Sequence, residues 1–500
     1  MFKRILIANR GEIAIRIARA AREMSIETVA IYHEVDKFMP YVSYCDYAYQ
    51  IFSETPKAAY LDIQQIIDVA KRSGAEAIHP GYGFLSENAD FAEAVENAGI
   101  VFIGPKARSI RAMGSKTKAR ELMAKAGVPI VPGTKEPLRS LDEAKEIAES
   151  IGYPILLKAS AGGGGKGMKT VRNSTELEEA FNSAKREALK AFADDAIYIE
   201  KLIENPKHIE IQVIADSHGN YAYLFERDCS IQRRHQKVIE EAPSTVLDEQ
   251  LRQKMGQVAI EAAKACDYVN AGTIEFLLDK NKNFYFLEMN TRLQVEHPVT
   301  EMITGIDLAQ EQISIAAGKQ LSFRQEDLRI HGHAVECRIY AEDPFNGFLP
   351  DIGTITYLRQ PGGYGVRVDS GVENGSEISM HFDPMIAKLI TWGRDRIDAL
   401  NKMERCLLNY RIKGVKTIIP FLIAVIRHPE FRYGYFDTGF LENSFDFSIL
   451  NKMKEENDEI VAAIAAYGYR MTSQAKRPIY SNNKINNKWK EKQLMIRRLI

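Results

Sequence analysis

The sequence predicts an α/β protein with α+β parts, and three features of its 500 residues support this prediction. Residues 5–32 have the pattern of a strand, a helix and a second strand, a spacing typical of a right-handed parallel βαβ unit. Two apolar runs at 273–279 and 284–290 are separated only by Lys-Asn-Lys-Asn, which predicts a β-hairpin. Strands rich in Val, Ile and Tyr recur from 333 to 392, which predicts a mixed, β-rich C-terminal region.

Composition restricts the class of protein. A hydrophobic content of 45% with 27% charged residues is typical of a globular protein of more than one domain, and the net charge of −1 favours no charged partner. The five cysteines form no C-x-x-C pair, which excludes a zinc ribbon and gives no disulfide framework. The N-terminus has too short an apolar run for a signal peptide, and no segment approaches the roughly 18 apolar residues of a membrane span. We therefore expect a cytoplasmic protein.

The N-terminal pattern continues with alternating helices and strands. Helices are predicted at 60–72 and 88–98, and strands at 75–78 and 100–103. The turn at 9–12 lacks G-x-G-x-x-G, so a nicotinamide-dependent enzyme is disfavoured. The turn at 79–84, His-Pro-Gly-Tyr-Gly-Phe, follows a strand, where open α/β sheets place ligands, although it is equally consistent with a plain Pro-Gly turn.

The remaining elements follow in order. A helix to about residue 126 precedes a compact α/β segment at 131–203, and further on the periodicity predicts strands at 209–215 and 221–226 and helices at 249–265, 395–409 and 455–467. Residues 415–427 are apolar and fit either a helix or a strand. The last 25 residues are predominantly basic, which suggests a docking segment or a solvated tail.

A glycine-rich loop follows the predicted strand that ends at Lys158. Four consecutive glycines at 162–165 allow backbone N–H groups to approach an anion closely, and Lys158 and Lys166 add positive charge. The loop is not a Walker A motif, because Lys166 is followed by Gly167. A phosphate-covering loop is favoured over a simple linker. Lys116, in Gly-Ser-Lys, is a weaker phosphate candidate.

The hairpin carries paired carboxylates. If Asp279 faces Phe284, antiparallel pairing places Glu275 opposite Glu288, and like charges in opposed positions require a cation. Asn290 lies on the same face, so the set suits Mg²⁺ shared with substrate phosphates. If the chain stays extended, that face continues through Arg292, Gln294 and Glu296. An exposed polar strand face in a different register is the alternative.

Two further basic features are candidates for anion binding. Residues 229–241 concentrate Arg233, Arg234, His235 and Lys237; beside a nucleotide this loop becomes a polyanion clamp, with Lys237 near the transferred phosphoryl group, and otherwise it is a charged loop. Arg338 lies in a strand-like run and needs a carboxylate or a ligand. Glu336, on the same strand face, is a candidate partner.

These motifs resemble those of a known family. The glycine loop without Walker A, the Glu/Glu-x-Asn hairpin and the preceding strand lysine are similar to the ATP-grasp superfamily. The segments Ile-Ala-Asn-Arg-Gly-Glu-Ile-Ala at 7–14, Arg-Asp-Cys-Ser-Ile-Gln-Arg-Arg-His-Gln-Lys at 227–237 and Arg-Leu-Gln-Val-Glu-His-Pro-Val-Thr-Glu at 292–301 resemble biotin carboxylase, the ATP-dependent component of biotin-dependent carboxylases. The similarity extends from residue 1 to about 445.

The resemblance implies a domain organisation. It gives an N-terminal α/β domain at 1–113, an ATP-grasp domain at 114–330 with a mobile lid at about 131–203, a β-rich C-terminal domain at 331–445 and a charged extension at 446–500.

The resemblance also implies roles for individual residues. Nucleotide contacts are implied for Lys116, Lys158, Gly164, Gly165, Glu200, Lys201, Ile203, His208, Gln232 and His235. Metal ligation is implied for Glu275, Glu288 and Asn290, and bicarbonate binding for Lys237, Arg292, Gln294 and the backbone of Val295. Glu296 would be the general base, and the catalytic set would also include Lys237, Arg292 and Arg338. Arg338 and Tyr82 would contact biotin.

The implied reaction needs ATP, Mg²⁺ or Mn²⁺, bicarbonate and biotin. No Ala-Met-Lys-Met biotinylation motif occurs in the 500 residues, so we expect biotin on a separate carrier protein, a carboxyltransferase on another subunit, and a homodimer, with neither nucleic acid nor membrane as partner. The final acceptor, an acyl-CoA or pyruvate, stays open. The alternatives are another ATP-grasp ligase, such as a carbamoyl-phosphate-type or purine-pathway enzyme, and a non-catalytic nucleotide-binding subunit.

Overall fold

The structure is a computed structural model that describes residues 1–134, 136–159, 168–192 and 195–474. Contacts divide the chain into two units, Met1–Asp446 and Phe447–Ile500. The finer division at 113 and 330 stays a prediction. Among the described residues, no helix has the length and hydropathy needed to cross a bilayer.

The N-terminal region is a parallel sheet flanked by helices. Its elements are β1 (Arg4–Ile7), α1 (Gly11–Glu23), β2 (Glu27–Tyr32), α2 (Pro40–Tyr44), β3 (Tyr47–Gln50), α3 (Pro56–Ala59), α4 (Ile63–Ser73), β4 (Ala77–His79), α5 (Ala89–Asn97), β5 (Val101–Phe102) and α6 (Ala107–Met113). The five strands lie in the order β3-β2-β1-β4-β5, all parallel, which confirms the predicted βαβ unit. The apolar side chains of β1 are completely buried, as expected for a central parallel strand.

A second, smaller sheet follows. The elements are α7 (Lys116–Lys125), α8 (Leu141–Ile151), β6 (Ile155–Ala159), β7 (Met168–Val171), α9 (Leu177–Phe192) and β8 (Ile197–Lys201). The three strands form an antiparallel sheet in the order β7-β6-β8, with apolar residues of α8 and α9 buried against it. This is the compact α/β segment that the sequence predicts.

Two chain connections join this small sheet to the rest of the first unit, and they run side by side. Lys201 N donates to Pro132 O at 2.8 Å and Thr134 N to Ile199 O at 2.9 Å. Gly133 forms a bridge with Glu200, and a Cβ at Gly133 would lie 2.4 Å from Ile199 O, so only glycine fits between the connections.

An eight-stranded sheet carries most of the polar candidates. Its neighbourhood contains β9 (Lys207–Ala215), β10 (Tyr221–Arg233), β11 (Gln236–Ala242), α10 (Glu249–Ala265), β12 (Asn270–Leu278), β13 (Phe284–Asn290), α11 (His297–Thr304), α12 (Leu308–Ala316) and β14 (His333–Tyr340). The sheet order is β13-β12-β9-β10-β11-β14, and two later strands at 385–393 and 366–370 continue it. The predicted hairpin is β12–β13, and α10 has the predicted bounds.

The C-terminal part of the first unit is rich in short strands. It contains β15 (Glu342–Asp343), β16 (Leu349–Pro350), β17 (Gly353–Thr354), β18 (Tyr357–Arg359), β19 (Val366–Ser370), β20 (Glu377–Ile378), β21 (Met385–Gly393), α13 (Arg396–Asn409), β22 (Arg411–Lys413), α14 (Ile419–Arg427), α15 (Pro429–Tyr433) and α16 (Phe440–Asn443). The ambiguous apolar run is α14, a helix buried on nearly all sides. In the second unit the described structure is one long helix, α17 (Ser448–Gln474), which extends past the predicted helix at both ends.

A buried ion pair joins β11, β14 and α13. Glu241 accepts a hydrogen bond from Arg396 Nε at 2.7 Å, and its Oε2 lies 3.0 Å from His333 Nε2. Burial by itself would raise the pKa of Glu241, but Arg396 and His333 outweigh it and lower the pKa to about 2. The ionised carboxylate therefore contributes to the stability of the fold.

We expect Glu241→Gln to lower the free energy of unfolding at pH 7 by about 3 kcal/mol, because the folded pKa lies below the unfolded value. The contribution is present above the unfolded pKa and is lost as the pH falls through about 4.5 toward about 2, so the difference from wild type should shrink at acid pH. Urea unfolding at pH 7 and pH 4 measures it, with the exposed Glu146→Gln as control. A constant difference at both values would contradict the assignment.

Candidate functional site

One ammonium group connects three buried carboxylates. Lys237, near the start of β11, donates to Glu275 Oε1 and to Glu296 Oε1, each at 2.9 Å, and also to Glu210. The three carboxylates come from β9, β12 and the residue that precedes α11, and each is at most 3% exposed. Lys237 therefore holds together elements that are distant in sequence.

Lys237 and the three carboxylates shift one another's pKa values. Burial would lower the pKa of Lys237, but the carboxylates of Glu210, Glu275 and Glu296 raise it well above its ordinary value. Burial would likewise raise the pKa of each carboxyl group, yet Lys237 and neighbouring cations lower all three. The lysine is charged and the three glutamates are ionised at neutral pH.

Carboxylates and a cation form a row across the sheet. Glu288 on β13 pairs with Glu275 on β12, which pairs with Glu210 on β9, which pairs with Arg227 on β10. Arg227 is fully buried and donates to Glu210 Oε2 at 3.0 Å. Two more cations complete the set: Lys237, and His208, whose Nε2 lies 3.0 Å from Glu275 Oε2.

His208 is a charged part of this cluster. Burial would lower the pKa of His208, but Glu275 and Glu210 outweigh it and raise the pKa to about 9. Its Nδ1 lies 3.0 Å from Gln232 Nε2. One ligand atom from each of His208, Glu210 and Glu275 lies within 4.8 Å of the others, but a metal ion could use this spacing only after His208 lost its proton.

The hairpin confirms the predicted pairing of Glu275 with Glu288, but through a different turn. Leu278, not Asp279, pairs with Phe284, and a bulge between Glu275 and Phe276 then shifts the register by one residue. Asp279 instead closes the turn, because its carboxylate accepts from Asn281 and Asn283.

The two paired glutamates differ in environment. Glu275 is buried and accepts from Asn290 Nδ2 at 2.7 Å, whereas Glu288 is exposed at the edge strand. The fold thus presents one carboxylate inside the cluster and the other toward solvent.

The expectation of an extended chain after Asn290 is wrong. The segment to Glu296 turns, and Glu296 immediately precedes α11. The predicted residues still meet: Arg292 donates to Asn290 Oδ1 at 2.9 Å and to Gln294 Oε1 at 3.0 Å, and Gln294 Nε2 lies 3.3 Å from Glu275 Oε1. Arg292 Nε also donates to Glu87 Oε2 at 2.8 Å, which ties the turn to the N-terminal region.

Arg338 bonds to partners other than the predicted one. Its Nε donates to Glu240 Oε1 at 2.6 Å and its Nη2 to Glu296 Oε2 at 3.0 Å. Glu336, the candidate partner, forms no hydrogen bond with Arg338, because neither of its carboxylate oxygens has a hydrogen-bond partner among the described residues. Glu296 consequently lies between two cations, Lys237 and Arg338.

The small sheet carries a second group of charged residues, centred on Glu200. Lys158 on β6 and Arg120 on α7 both donate to Glu200 on β8. Lys201 donates to the carbonyls of Gly152 and Tyr153, each at 2.9 Å. Three candidates cannot be placed in this site: Gly164 and Gly165 lie outside the described residues, as does the side chain of Lys116.

The remaining candidates lie around the cluster. Ile203 is half-buried after β8, and His235 is exposed in the turn between β10 and β11. The Tyr82 hydroxyl is buried without a hydrogen-bond partner among the described residues, and Lys388 Nζ lies 5.9 Å from the ring centre. Lys388 Nζ donates to Val295 O at 2.7 Å.

Sequence reasoning missed several of these residues. Glu210 and Arg227 are central to the row, Glu240 binds Arg338, Glu87 binds Arg292, and Lys388 binds the backbone of Val295. A usable signal exists for β9, where the polar residues His208, Glu210 and Gln212 alternate with the apolar residues Ile209, Ile211 and Val213. A polar face that is fully buried indicates a functional surface rather than solvent exposure.

Comparison with known families agrees with this architecture. The N-terminal domain model of biotin carboxylase matches residues 1–110, the model described as carbamoyl-phosphate synthase L chain, ATP binding domain matches 115–324, and the C-terminal domain model of biotin carboxylase matches 336–443.

Individual relatives are similar over most of the chain. A pyruvate carboxylase subunit from Methanothermobacter thermautotrophicus is 53% identical over 92% of this chain and 94% of its own length. Biotin carboxylase 1 of Bacillus subtilis is 52% identical over 88% of this chain and 98% of its own length. The biotin carboxylase domain dimer of Hydrogenobacter thermophilus 2-oxoglutarate carboxylase, solved with MgADP, ADP and bicarbonate, superposes with a TM-score of 0.81 at 51% identity, over 88% of this chain and 97% of that one.

A parallel N-terminal sheet, a small antiparallel sheet joined by paired connections and a buried carboxylate row on a larger sheet define an ATP-grasp ligase. The carbamoyl-phosphate synthase model covers the shared ATP-binding core, whereas both flanking models are specific to one family. The chain belongs to the biotin carboxylase family, whose members use ATP, Mg²⁺ and biotin on a carrier protein.

We expect Lys237→Met to destabilise the protein by about 3–5 kcal/mol, because removing one partner leaves buried charge uncompensated. The three carboxylates would then repel one another, so the loss should shrink as the pH falls and they become protonated. Urea unfolding at several pH values measures the effect. The exposed Lys280→Met is the control, and an equally small effect of both substitutions would exclude the structural role of Lys237.

Proposed function

We propose that this chain uses MgATP and bicarbonate to carboxylate biotin borne on a separate carrier protein, through carboxyphosphate, as a component of an acyl-CoA or pyruvate carboxylase. The observation that carries the residue assignment is the position of Glu296 between Lys237 and Arg338, at 2.9 and 3.0 Å. Glu296 thus lies beside both the lysine assigned to bicarbonate and the arginine assigned to biotin, a position that fits both half-reactions of the proposal.

Bicarbonate binds, in this proposal, at the turn before α11. Lys237, Arg292, Gln294 and the backbone N–H of Val295 supply positive charge and donors, and Lys388 fixes the turn by its bond to Val295 O. Glu296, whose pKa is lowered, is ionised and takes the proton of bicarbonate as general base. The resulting dianion attacks the γ-phosphorus of ATP, and the bond to the β-phosphate oxygen breaks to release ADP and carboxyphosphate.

The donor atoms of the hairpin and of β9 support the metal-binding assignment. Glu275 and Glu210 supply carboxylate oxygens within 4.8 Å of one another, and Glu288 and Asn290 extend the same hairpin, which fits a hard divalent cation. We assign Glu275, Glu288 and Asn290 as the residues that would hold Mg²⁺, which neutralises charge on the transferred phosphoryl group. Lys237 supplies further positive charge there.

Carboxyphosphate then breaks its C–O bond to give CO₂ and phosphate. Phosphate accepts the proton of the biotin N1′, Arg338 stabilises the negative charge that develops on the ureido oxygen, and N1′ bonds to CO₂. Arg338 reaches the site between Glu240 and Glu296, and Tyr82 lines the biotin side in this assignment.

ATP would lie between the small sheet and the larger one. We assign its contacts to Lys116, Lys158, Gly164, Gly165, Glu200, Lys201, Ile203, His208, Gln232 and His235. Lys158 and Glu200 contact each other, so ATP phosphates would compete with Glu200 for the lysine. Residues 131–203 would form the lid, which keeps water from carboxyphosphate.

Partners and compartment follow as part of the same proposal. The chain would act as a homodimer with a biotin carrier protein and a carboxyltransferase subunit, and the solved relative from Hydrogenobacter thermophilus is a dimer. Five buried cysteines without disulfide bonds support a cytoplasmic location.

The decisive assay is ADP formation that depends on bicarbonate, measured with and without free biotin. The proposal requires ATP cleavage to rise with biotin and one carboxybiotin to form for each additional ADP. Cleavage that ammonia or an amine stimulates instead would favour a different ATP-grasp ligase, and nucleotide binding without any turnover would favour a non-catalytic role.

We expect Glu296→Gln to reduce biotin-dependent ATP cleavage by about 10²–10⁴-fold, the usual effect of losing a general base. Nucleotide affinity should stay within about threefold of wild type, because Glu296 lies outside the metal trio. Steady-state rates and nucleotide titration measure both quantities. A variant that keeps more than half of the wild-type rate would exclude this base.

We expect Glu288→Gln to raise the Mg²⁺ concentration for half-maximal activity by about tenfold, while changing metal-free stability by less than about 0.5 kcal/mol, because its side chain is exposed. Glu275→Gln should raise the Mg²⁺ requirement more strongly and should also lower the free energy of unfolding, because the buried Glu275 carboxylate pairs with Lys237 and His208 and its pKa is lowered. Metal titration and thermal unfolding check both. Glu178→Gln, at an exposed position of α9, is the control.

A further inference from the structure

Two buried glutamates, Glu240 and Glu336, lie beside Arg338 in the large sheet. Glu240 on β11 and Glu336 on β14 occupy opposed positions of an antiparallel pair, and both are completely buried. Side chains at opposed positions have Cβ atoms about 4.5–5.5 Å apart, within reach of glutamate carboxyl groups.

The two acids differ in their partners. Glu240 Oε1 accepts from Arg338 Nε at 2.6 Å. Glu240 Oε2 and both oxygens of Glu336 have no hydrogen-bond partner among the described residues. Two ionised carboxylates in a buried, opposed pair repel. The two nearby cations are shared with other groups, Arg338 with Glu296 and Lys388 with Glu12 and the Val295 carbonyl, so they do not fully compensate both acids.

We propose that Glu240 and Glu336 together hold one proton, with Glu336 as the neutral acid and Glu240 as the carboxylate that positions Arg338 for biotin. A neutral Glu336 has an O–H donor and the free Oε2 of Glu240 is an acceptor, so one proton placed between them would give both of these buried atoms a partner. This inference rests on the proposed role of Arg338.

The surrounding charges agree with this division. Burial raises the pKa of Glu336 well above its ordinary value, with Glu240 and Glu296 adding to the rise and Lys388 and Arg338 opposing it. Burial also raises the pKa of Glu240, to about 7, but Arg338 opposes the rise more strongly there. The proton is therefore held on the strand of Arg338 itself, two residues away.

The proposed consequence is geometric. Arg338 is held at Nε by Glu240 and at Nη2 by Glu296, so its guanidinium plane is fixed from two directions. When Glu296 is engaged with bicarbonate, Glu240 is the remaining anchor. Glu240 is thus a positioning residue for the half-reaction that uses biotin and is not required for ATP cleavage by bicarbonate.

Paired isosteric variants test this proposal. Glu240→Gln removes the charge that holds Arg338 and should lower kcat/KM for free biotin by about 10- to 100-fold, the effect of losing a hydrogen bond between charged groups. The KM for ATP and the slow bicarbonate-dependent ATP cleavage without biotin should change by less than about threefold. Glu336→Gln replaces a neutral acid with a neutral amide, so its kcat/KM for biotin should fall by less than about threefold.

An infrared measurement tests the proton itself without any turnover. The difference spectrum of wild type minus Glu336→Gln at neutral pH should contain the carbonyl band of a protonated carboxylic acid, and wild type minus Glu240→Gln should contain chiefly carboxylate bands. The absence of the acid band for Glu336, equal losses of activity in the two variants, or failure of Glu336→Gln to fold would each overturn the proposal. If the wild type showed no biotin-dependent turnover, the proposed function would be refuted. The infrared spectra would still determine whether Glu336 is protonated.

Discussion

The ion pairs between Lys237 and the carboxylates of Glu210, Glu275 and Glu296 are the constraint on which the rest of the site depends. Each carboxylate comes from a different part of the chain, and each would be unstable in its buried position without a cation. The lysine therefore fixes the relation between the hairpin, the strand beside it and the helix that begins after Glu296. A single ammonium thus compensates three buried carboxylates at the position to which the proposed function also assigns bicarbonate.

The charges continue in alternation beyond this lysine. Arg338 follows Glu296, and Glu240 follows Arg338, so cations and anions succeed one another across the strands of the large sheet. Such an arrangement is well suited to a reaction whose substrates are anions. In the proposed function, bicarbonate and the phosphates of ATP would take the place of carboxylates around cations that are already held in position, which would reduce the reorganisation needed during the reaction.

Much of the fold could be predicted from local patterns, because the hydrophobic periodicity of a helix or strand depends only on residues that are consecutive in the sequence. The βαβ unit, α10 and the hairpin are examples. The carboxylate row could be predicted only in part: Glu275 and Glu288 belong to one hairpin, whereas Glu210 joins them through the pairing of β9 with β12, which local sequence does not specify. Glu240 was missed for the same reason, since its strand pairs with β14. The alternation of side chains along a strand could not be extended past Asn290, because the chain turns there. Arg292 and Gln294 nevertheless lie in contact.

The paired connections at 132–134 and 199–201 limit what the small sheet can do. Two segments joined by backbone hydrogen bonds resist sliding past one another, so their pairing fixes the place at which the small sheet joins the rest of the first unit. Arg120 donates both to Val131 O and to Glu200, one contact on each connection. A guanidinium on α7 therefore ties both connections to one helix, and a change at Arg120 would loosen this junction and also release Glu200, a residue that the proposed function places at ATP.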